Sequence, residues 1–213
     1  LAGEPMAYLT GEKAFHGLTL RVDARVLDPR DDTETLVDWA LALLPRDAGR
    51  RVLDLGTGSG AIALALAAER PRARVTAVDA SADALAVAAG NAARLGLELD
   101  LRHGDWFGPL ADERFDLIVS NPPYVAADDP HLPALSHEPR QALVSGADGL
   151  HDIRRIIAAA PEHLAPGAWL LLEHGWDQPA AARALLSDSG WAQVQSRRDL
   201  AGVERCSGGQ WPL

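Results

Sequence analysis

Apolar positions through the middle of the chain follow two alternating rhythms. Short apolar runs, RVLDLGT (51–57), ARVTAVDA (73–80), FDLIVS (115–120) and AWLLLEHG (168–175), have the length and composition of buried strands. Between them lie longer stretches with helical spacing. One covers 61–70 and is stopped by Pro71; another covers 82–95, with Ser81 as N-cap, Asp83 in the first turn and Gly96 at the end. Further helices are predicted near 149–164 and 178–188, a half-buried strand at LELDLRHGD (97–105) and a last extended stretch at AQVQSRRDL (192–200). Strand and helix in alternation predict βαβ units, hence an α/β fold with a parallel sheet covered on both faces. The first 30 residues break the pattern. YLTGEKAFHGLTLRVDARVLD alternates with glycines at turn positions and predicts a β-hairpin, followed by an amphipathic helix over 33–44. The predicted division is a hairpin lead-in over 1–30 and one α/β domain over 31–213.

Composition narrows the class. At 213 residues the chain suits one domain whose core buries most of its apolar surface. Hydrophobic residues make up 47% and charged residues 23%, and no apolar run nears the roughly 20 residues of a membrane span. The one cysteine, Cys206, excludes an internal disulfide and a cysteine-built zinc site, and reads as an inert thiol. Nothing resembles a secretory signal, so the expected place is the cytoplasm. The expected state is a monomer. A net charge of −10 repels nucleic acid and argues against a bare DNA or RNA substrate.

Two segments carry the chemistry. DLGTGSG (54–60) leaves a predicted strand and enters a helix, so glycines 56, 58 and 60 let the backbone approach a ligand while the helix start offers free N–H groups. Such a pattern also fits a dinucleotide turn. Asp79, ending the next strand, stands where a carboxylate accepts hydrogen bonds from ribose hydroxyls, and the pair points to an adenosine-type cofactor.

The second segment is Asn121-Pro122-Pro123-Tyr124, directly after FDLIVS. Two prolines cannot donate to a sheet ladder, so the strand ends there and its last residues face out of the carboxyl edge. Methylation of a planar, conjugated NH2 group gives each residue a task. The lone pair of such a nitrogen is delocalised and attacks a methyl sulfonium poorly unless the nitrogen is drawn toward tetrahedral geometry. The Asn121 side-chain oxygen and the Pro122 carbonyl would take its two hydrogens and aim the lone pair. Pro123 keeps Pro122 out of the helical region, and Tyr124 would stack on the flat group. No strong base is needed, since the methylated, cationic nitrogen loses its proton readily. The plain alternative is a strand-ending turn with an incidental aromatic. Position favours the chemistry, because ligands in open α/β sheets bind at the carboxyl ends of neighbouring central strands. Trp106, after His103-Gly104-Asp105, is a candidate ring to flank adenine, with core packing as its alternative. Asp128, Asp129 and His131 share a loop with no second cluster to complete a shell, so no metal is expected.

DLGTGSGAIALALA, VDASADALAVAAGNA, GDWF, and VSNPPYV followed by DPHL and EPRQALVSGADGL together resemble the protein-(glutamine-N5) methyltransferases, the HemK family that modifies peptide chain release factors. The lead-in YLTGEKAFHGLTLRVDARVLDPRDDTETLVDWAL is similar to that family's. The resemblance implies a seven-stranded, mostly parallel Rossmann-like fold of the class I S-adenosylmethionine-dependent methyltransferases, with a β-hairpin extension. It implies S-adenosylmethionine as cofactor, with Gly56, Thr57, Gly58, Ser59 and Gly60 around the methionine part, Asp79 on the ribose, Trp106 beside the adenine and Asn121 touching cofactor and substrate. Asn121, Pro122, Pro123 and Tyr124 would hold the glutamine of the release factor's Gly-Gly-Gln motif, and Arg30, Thr33 and Glu34 would help close the pocket. Asn-Pro-Pro-Tyr alone is shared with adenine-N6 DNA and guanine-N2 rRNA methyltransferases, the first rival reading; a non-catalytic cofactor-binding module is the second. Where the family usually has Ile-Pro-Arg-Pro, this chain has Asp28-Pro29-Arg30-Asp31, and the family's helical N-terminal docking domain has no counterpart in these residues. Gly208-Gly209-Gln210 repeats the substrate tripeptide and reads as a chance occurrence at a strand end; the sharper alternative is that the protein methylates its own Gln210.

Overall fold

The computed structural model describes residues 3–212. A short helix α1 (Met6–Thr10) leads into a hairpin of β1 (Glu12–Phe15) and β2 (Leu18–Arg21), closed by His16 and Gly17 at φ 45° and 76°, the left-handed pair of a type I′ turn. There follow α2 (Glu34–Leu43), β3 (Arg51–Leu55), α3 (Ala61–Glu69), β4 (Arg74–Asp79), α4 (Ala82–Leu95), β5 (Asp100–His103) and β6 (Phe115–Ser120). After a long loop come α5 (His151–Ala159), β7 (Leu164–Glu173), α6 (Pro179–Asp188), β8 (Ala192–Arg198) and β9 (Glu204–Gln210).

Strands β3 to β9 form a seven-stranded sheet in the order β5-β4-β3-β6-β7-β9-β8. Only β9 runs against its neighbours. The chain builds outward from β3 to β5 and then returns to lay β6 on the other side of β3. Loops leaving these two strands diverge, which opens a crevice at their carboxyl ends. Leu55 pairs with Ser120, so the glycine loop and the Asn-Pro-Pro-Tyr loop leave the sheet at one level.

Successive strand residues face opposite layers. Leu117, Val119 and Leu171 pack in one core with α2, α3 and α4, while Ile118, Leu170 and Leu172 pack in the other with α5 and α6. The hairpin joins the first core through Phe15, Leu20 and Val22. Asn91 of α4 fastens it. Fully buried, its Oδ1 accepts from Arg21 N at 2.7 Å, and its Nδ2 donates to Arg21 O at 2.9 Å and to Ser59 O at 3.0 Å. A single amide thereby ties β2 and the glycine loop to α4.

Four elements differ from the sequence pattern. Tyr8 to Thr10, expected in the hairpin, belong to helix α1. The helix predicted near 149–164 ends at Ala159 and tightens into a 3-10 turn over Ala160–His163, because Pro161 has no N–H for the helical ladder. The strand predicted over 97–105 spans only Asp100–His103. The seventh strand, β9, contains Gly208 and Gly209, whose low β propensity conceals it in the sequence. A Cβ on Gly208 would lie 2.5 Å from the Leu170 carbonyl oxygen and 3.0 Å from the Trp39 ring, so α2 approaches the sheet only because that side chain is missing. Further along, Gln210 pairs with Trp169; its Nε2 donates to Gly167 O at 2.7 Å and its Oε1 accepts from Gln193. Among the described residues no helix is long and apolar enough to cross a membrane.

Candidate active site

The glycine loop presents backbone to the crevice. Gly56, Gly58 and Gly60 have φ of 72°, 56° and 83°, and Gly56 and Gly58 line a cleft together with Asp79, Trp106, Asn121 and Pro123. Thr57 and Ser59 are buried behind it. Thr57 Oγ1 donates to Asp54 Oδ2 at 2.7 Å, and the Ser59 carbonyl is held by Asn91. Gly60 caps α3. These three shape the loop from behind and do not line the cleft. Asp54, not anticipated as a site residue, is wholly buried, and burial pushes its carboxyl up to about 7.

Asp79 binds two loops at once. Its Oδ2 accepts from Gly58 N and its Oδ1 from Ser81 N, both at 2.8 Å, and each oxygen keeps a further lone pair for a ligand hydroxyl. Burial raises its carboxyl above the usual carboxylate range, while the two amides pull the other way. Trp106, held at φ 46°, lays its ring over Gly56, where an added Cβ would lie 3.5 Å from Cζ3. The facing walls are Arg25, Val26 and Leu27 after the hairpin, and Pro139, Gln141 and Ala142 from the long loop. Sequence reasoning missed both walls; the apolar pair Val26-Leu27 is the one signal that marks them.

The Asn-Pro-Pro-Tyr loop is held from several sides. Asn121 Nδ2 donates to Thr33 Oγ1 at 3.2 Å, which leaves Oδ1 free to accept. Pro122 is buried, Pro123 reaches the cleft, and Tyr124 lies mostly covered, its OH donating to Glu173 Oε1 at 3.2 Å. Burial and the neighbouring Glu173 push the Tyr124 hydroxyl upward, so it stays protonated. Gln178 Nε2 donates to Tyr124 O at 3.0 Å and Gln178 Oε1 accepts from Gly175 N at 2.8 Å. Gly149, at φ 73°, lies so close that an added Cβ would be 2.3 Å from Tyr124 O. Glu173, Gln178 and Gly149 were not anticipated as site residues.

Two expected pocket residues are engaged elsewhere. Glu34 Oε1 accepts from His16 N at 2.7 Å, at the hairpin turn, and does not line the cleft. Arg30 pairs with Glu138 and, at 3.5 Å, with Asp28, whose own amide donates to Glu138 Oε2 at 3.3 Å. This knot joins the two segments whose next residues form the facing walls, so Arg30 shapes the mouth from outside. Asp31 pairs with Lys13 at 3.0 Å. Asp129 Oδ1 is occupied by His131, through its amide at 2.8 Å and Nδ1 at 2.9 Å.

A family model described as Methyltransferase small domain matches residues 33–174, which include the glycine loop, Asp79, Trp106 and Asn-Pro-Pro-Tyr. The chain is 56% identical to the release factor glutamine methyltransferase of Bordetella pertussis, over 98% of this chain and 78% of that one. The chain belongs to the release factor glutamine methyltransferase family. Its fold is accordingly the class I methyltransferase fold, here with an N-terminal hairpin. A solved protein-(glutamine-N5) methyltransferase (release factor-specific) from Alicyclobacillus acidocaldarius is 32% identical, with a TM-score of 0.54, over 87% of this chain and 94% of that one. A 16S rRNA N2 methyltransferase of T. thermophilus, solved with AdoMet and guanosine, has a TM-score of 0.68 over 94% of this chain and 49% of that one. At 20% identity that likeness extends to the fold alone. The sheet is therefore common ground between the rival readings, and residue-level identity lies with the release factor glutamine methyltransferase family.

Proposed function

We propose that this chain transfers a methyl group from S-adenosylmethionine to the side-chain nitrogen of the glutamine in the Gly-Gly-Gln motif of a peptide chain release factor. The observation that carries the reading is the Asn121–Thr33 hydrogen bond, which commits the Asn121 NH2 to the protein and leaves its oxygen for a substrate NH2. The cleft suits the cofactor by its chemistry: bare backbone at Gly56 and Gly58, spare lone pairs on Asp79 and an aromatic face at Trp106.

Bound there, S-adenosylmethionine supplies an electrophilic methyl on a sulfonium sulfur. Asp79 would orient the nucleoside through its ribose hydroxyls, and Trp106 would cover the adenine. Asn121 Oδ1 and the Pro122 carbonyl accept the two hydrogens of the glutamine amide, which draws the nitrogen out of conjugation and points its lone pair at the methyl. Transfer would form the N–C bond as the cofactor's S–C bond breaks, and the cationic nitrogen would then release one hydrogen to water as a proton. Pro123 holds Pro122 extended. Tyr124, anchored by Glu173, supports the amide plane.

A net charge of −10 opposes the nucleic-acid rival. The experiment offers purified release factor and unmethylated DNA in parallel, with S-adenosylmethionine, and weighs the products by mass spectrometry. One methyl on the Gly-Gly-Gln glutamine supports the reading; methyl on DNA replaces it with the rival. Asn121→Ala abolishes transfer with cofactor affinity kept, and normal turnover by that variant would overturn the role of Asn121.

A further inference from the structure

Gly56, Gly58, Asp79 and Trp106 give the crevice its cofactor side, over β3 and β4, and Asn121 and Pro123 border it. That arrangement leaves the carboxyl ends of β6 and β7 to a protein substrate. Beyond β7 stands the turn Gly175-Trp176-Asp177-Gln178. It is clamped at both ends, since Gln178 N donates to Gly175 O at 3.0 Å and Gly175 N donates to Gln178 Oε1 at 2.8 Å. The same glutamine fastens the turn to the Asn-Pro-Pro-Tyr loop, its Nε2 donating to Tyr124 O at 3.0 Å. A second tie comes from the Tyr124 hydroxyl, which donates to Glu173, two residues ahead of the turn.

The middle of this rigid turn faces solvent. Trp176 is 73% exposed, and Asp177 beside it is exposed as well. Elsewhere the chain uses such groups internally: Arg51 and Arg197 lie over the rings of Phe115 and Trp39, and Asp148 and Asp199 pair with Arg154 and Arg205. Among the described residues no cation covers Trp176 and none pairs with Asp177. Single exposed apolar side chains are ordinary on a protein surface. Met6, Leu9 and Leu200 are of that kind, whereas Trp176 belongs to a turn bonded to Asn-Pro-Pro-Tyr.

We propose that Trp176 and Asp177 receive a basic side chain of the release factor, an arginine or lysine near its reactive glutamine, and so seat the substrate beside Asn121. This rests on the reading of the release factor as substrate. The face of an indole ring attracts positive charge, and a carboxylate on the next residue supplies the counter-charge. An arginine can stack on the one while pairing with the other. A chain of net charge −10 also draws a partner by its positive face. Because the turn is already clamped, docking has little ordering to impose on it. Gln178 then sets the distance from the seated cation to the Tyr124 carbonyl, and with it the reach of the glutamine to Asn121.

The test measures the dissociation constant of purified release factor by calorimetry, and kcat/KM in the methyl-transfer assay. Trp176→Leu keeps an apolar side chain and removes the ring. It should weaken binding on the order of 10-fold and lower kcat/KM in proportion, with affinity for S-adenosylmethionine unchanged. Trp176→Phe, which keeps a ring, should recover most of the loss. Asp177→Arg should weaken binding at least as much and flatten its dependence on salt. Asp188→Arg makes the same change in net charge at the far end of α6, about 14 Å along the helix, and should bind as the wild type does. All four replaced side chains are solvent-facing, so denaturation midpoints should hold and report that each variant is folded. Wild-type affinity in Trp176→Leu or Asp177→Arg, an equal loss in Asp188→Arg, or no measurable binding by the wild type overturns the proposal. Should the wild type bind the release factor and leave it unmethylated, the functional reading fails, and the dissociation constants still decide the docking.

Discussion

Ser120 Oγ donates to the Leu55 carbonyl at 2.7 Å, across the carboxyl ends of β6 and β3, with both residues fully buried. The bond spans the gap from which the glycine loop and the Asn-Pro-Pro-Tyr loop separate, so the distance between the two halves of the site is set inside the sheet. Ser120→Ala should cost about 1 kcal/mol of stability, read as a lower denaturation midpoint at unchanged slope. It should also slow transfer more than it weakens cofactor binding.

Asp79→Asn leaves one oxygen to accept and turns an NH2 toward an amide N–H that now meets a carboxylate oxygen. Loss of a charge-assisted bond and a donor facing a donor should raise the cofactor dissociation constant by about 10-fold or more. Calorimetry with S-adenosylmethionine measures this; unchanged affinity would remove Asp79 from the ribose.

Asn91→Leu deprives the Arg21 amide, the Arg21 carbonyl and the Ser59 carbonyl of one shared partner. The expected loss is on the order of 3 kcal/mol. Amide hydrogen exchange should accelerate in β2 well before it does in β3 or β6.

Gly149→Ala pushes a methyl group against the Tyr124 carbonyl and imposes a left-handed conformation on a residue with a side chain. Stability should fall by about 1–3 kcal/mol, and the transfer rate should drop while cofactor affinity holds. A wild-type rate in a folded variant would show that Tyr124 tolerates displacement.

Burial raises the carboxyls of Asp54 from 3.8 and of Glu173 from 4.5, each to about 7. Between the unfolded and folded values the native state holds protons that the unfolded chain has released. Their contribution to stability is thus complete below about pH 4 and is lost as pH rises through about 7, on the order of a few kcal/mol for each group. Thermal midpoints across this window should fall with rising pH, and Glu173→Gln should flatten part of the slope. An identical slope in that variant would mean that Glu173 does not titrate there.

Gly56, Gly58, Asp79 and Asn121 were legible in the sequence because each follows an apolar run that stops abruptly, and a strand end is where a parallel sheet meets its ligand. Thr33, Glu173 and Gln178 were harder to read, since their partners lie 88, 49 and 54 residues away and meet only through the order of the strands. The sole local mark of Glu173 is a carboxylate closing an otherwise apolar strand. Glu34 shows the converse: a glutamate opening a helix near a site suggests a ligand contact, yet its carboxylate holds the His16 amide. The glycines of β9 argue against a strand by propensity; Gly208 is needed there because Trp39 packs against the backbone, and Gly209 lies against Trp191.

Gly208, Gly209 and Gln210 lie in β9, where Gln210 is paired with Trp169, itself paired with Leu117 of β6. Asn121 lies four residues beyond Leu117, about 13 Å farther along the strand direction. Both ends of the Gln210 amide are already engaged, by Gly167 and Gln193. The chain thus carries a Gly-Gly-Gln tripeptide in extended form, tied down toward the edge of the sheet opposite the cleft, with neither end of the Gln210 amide left unengaged.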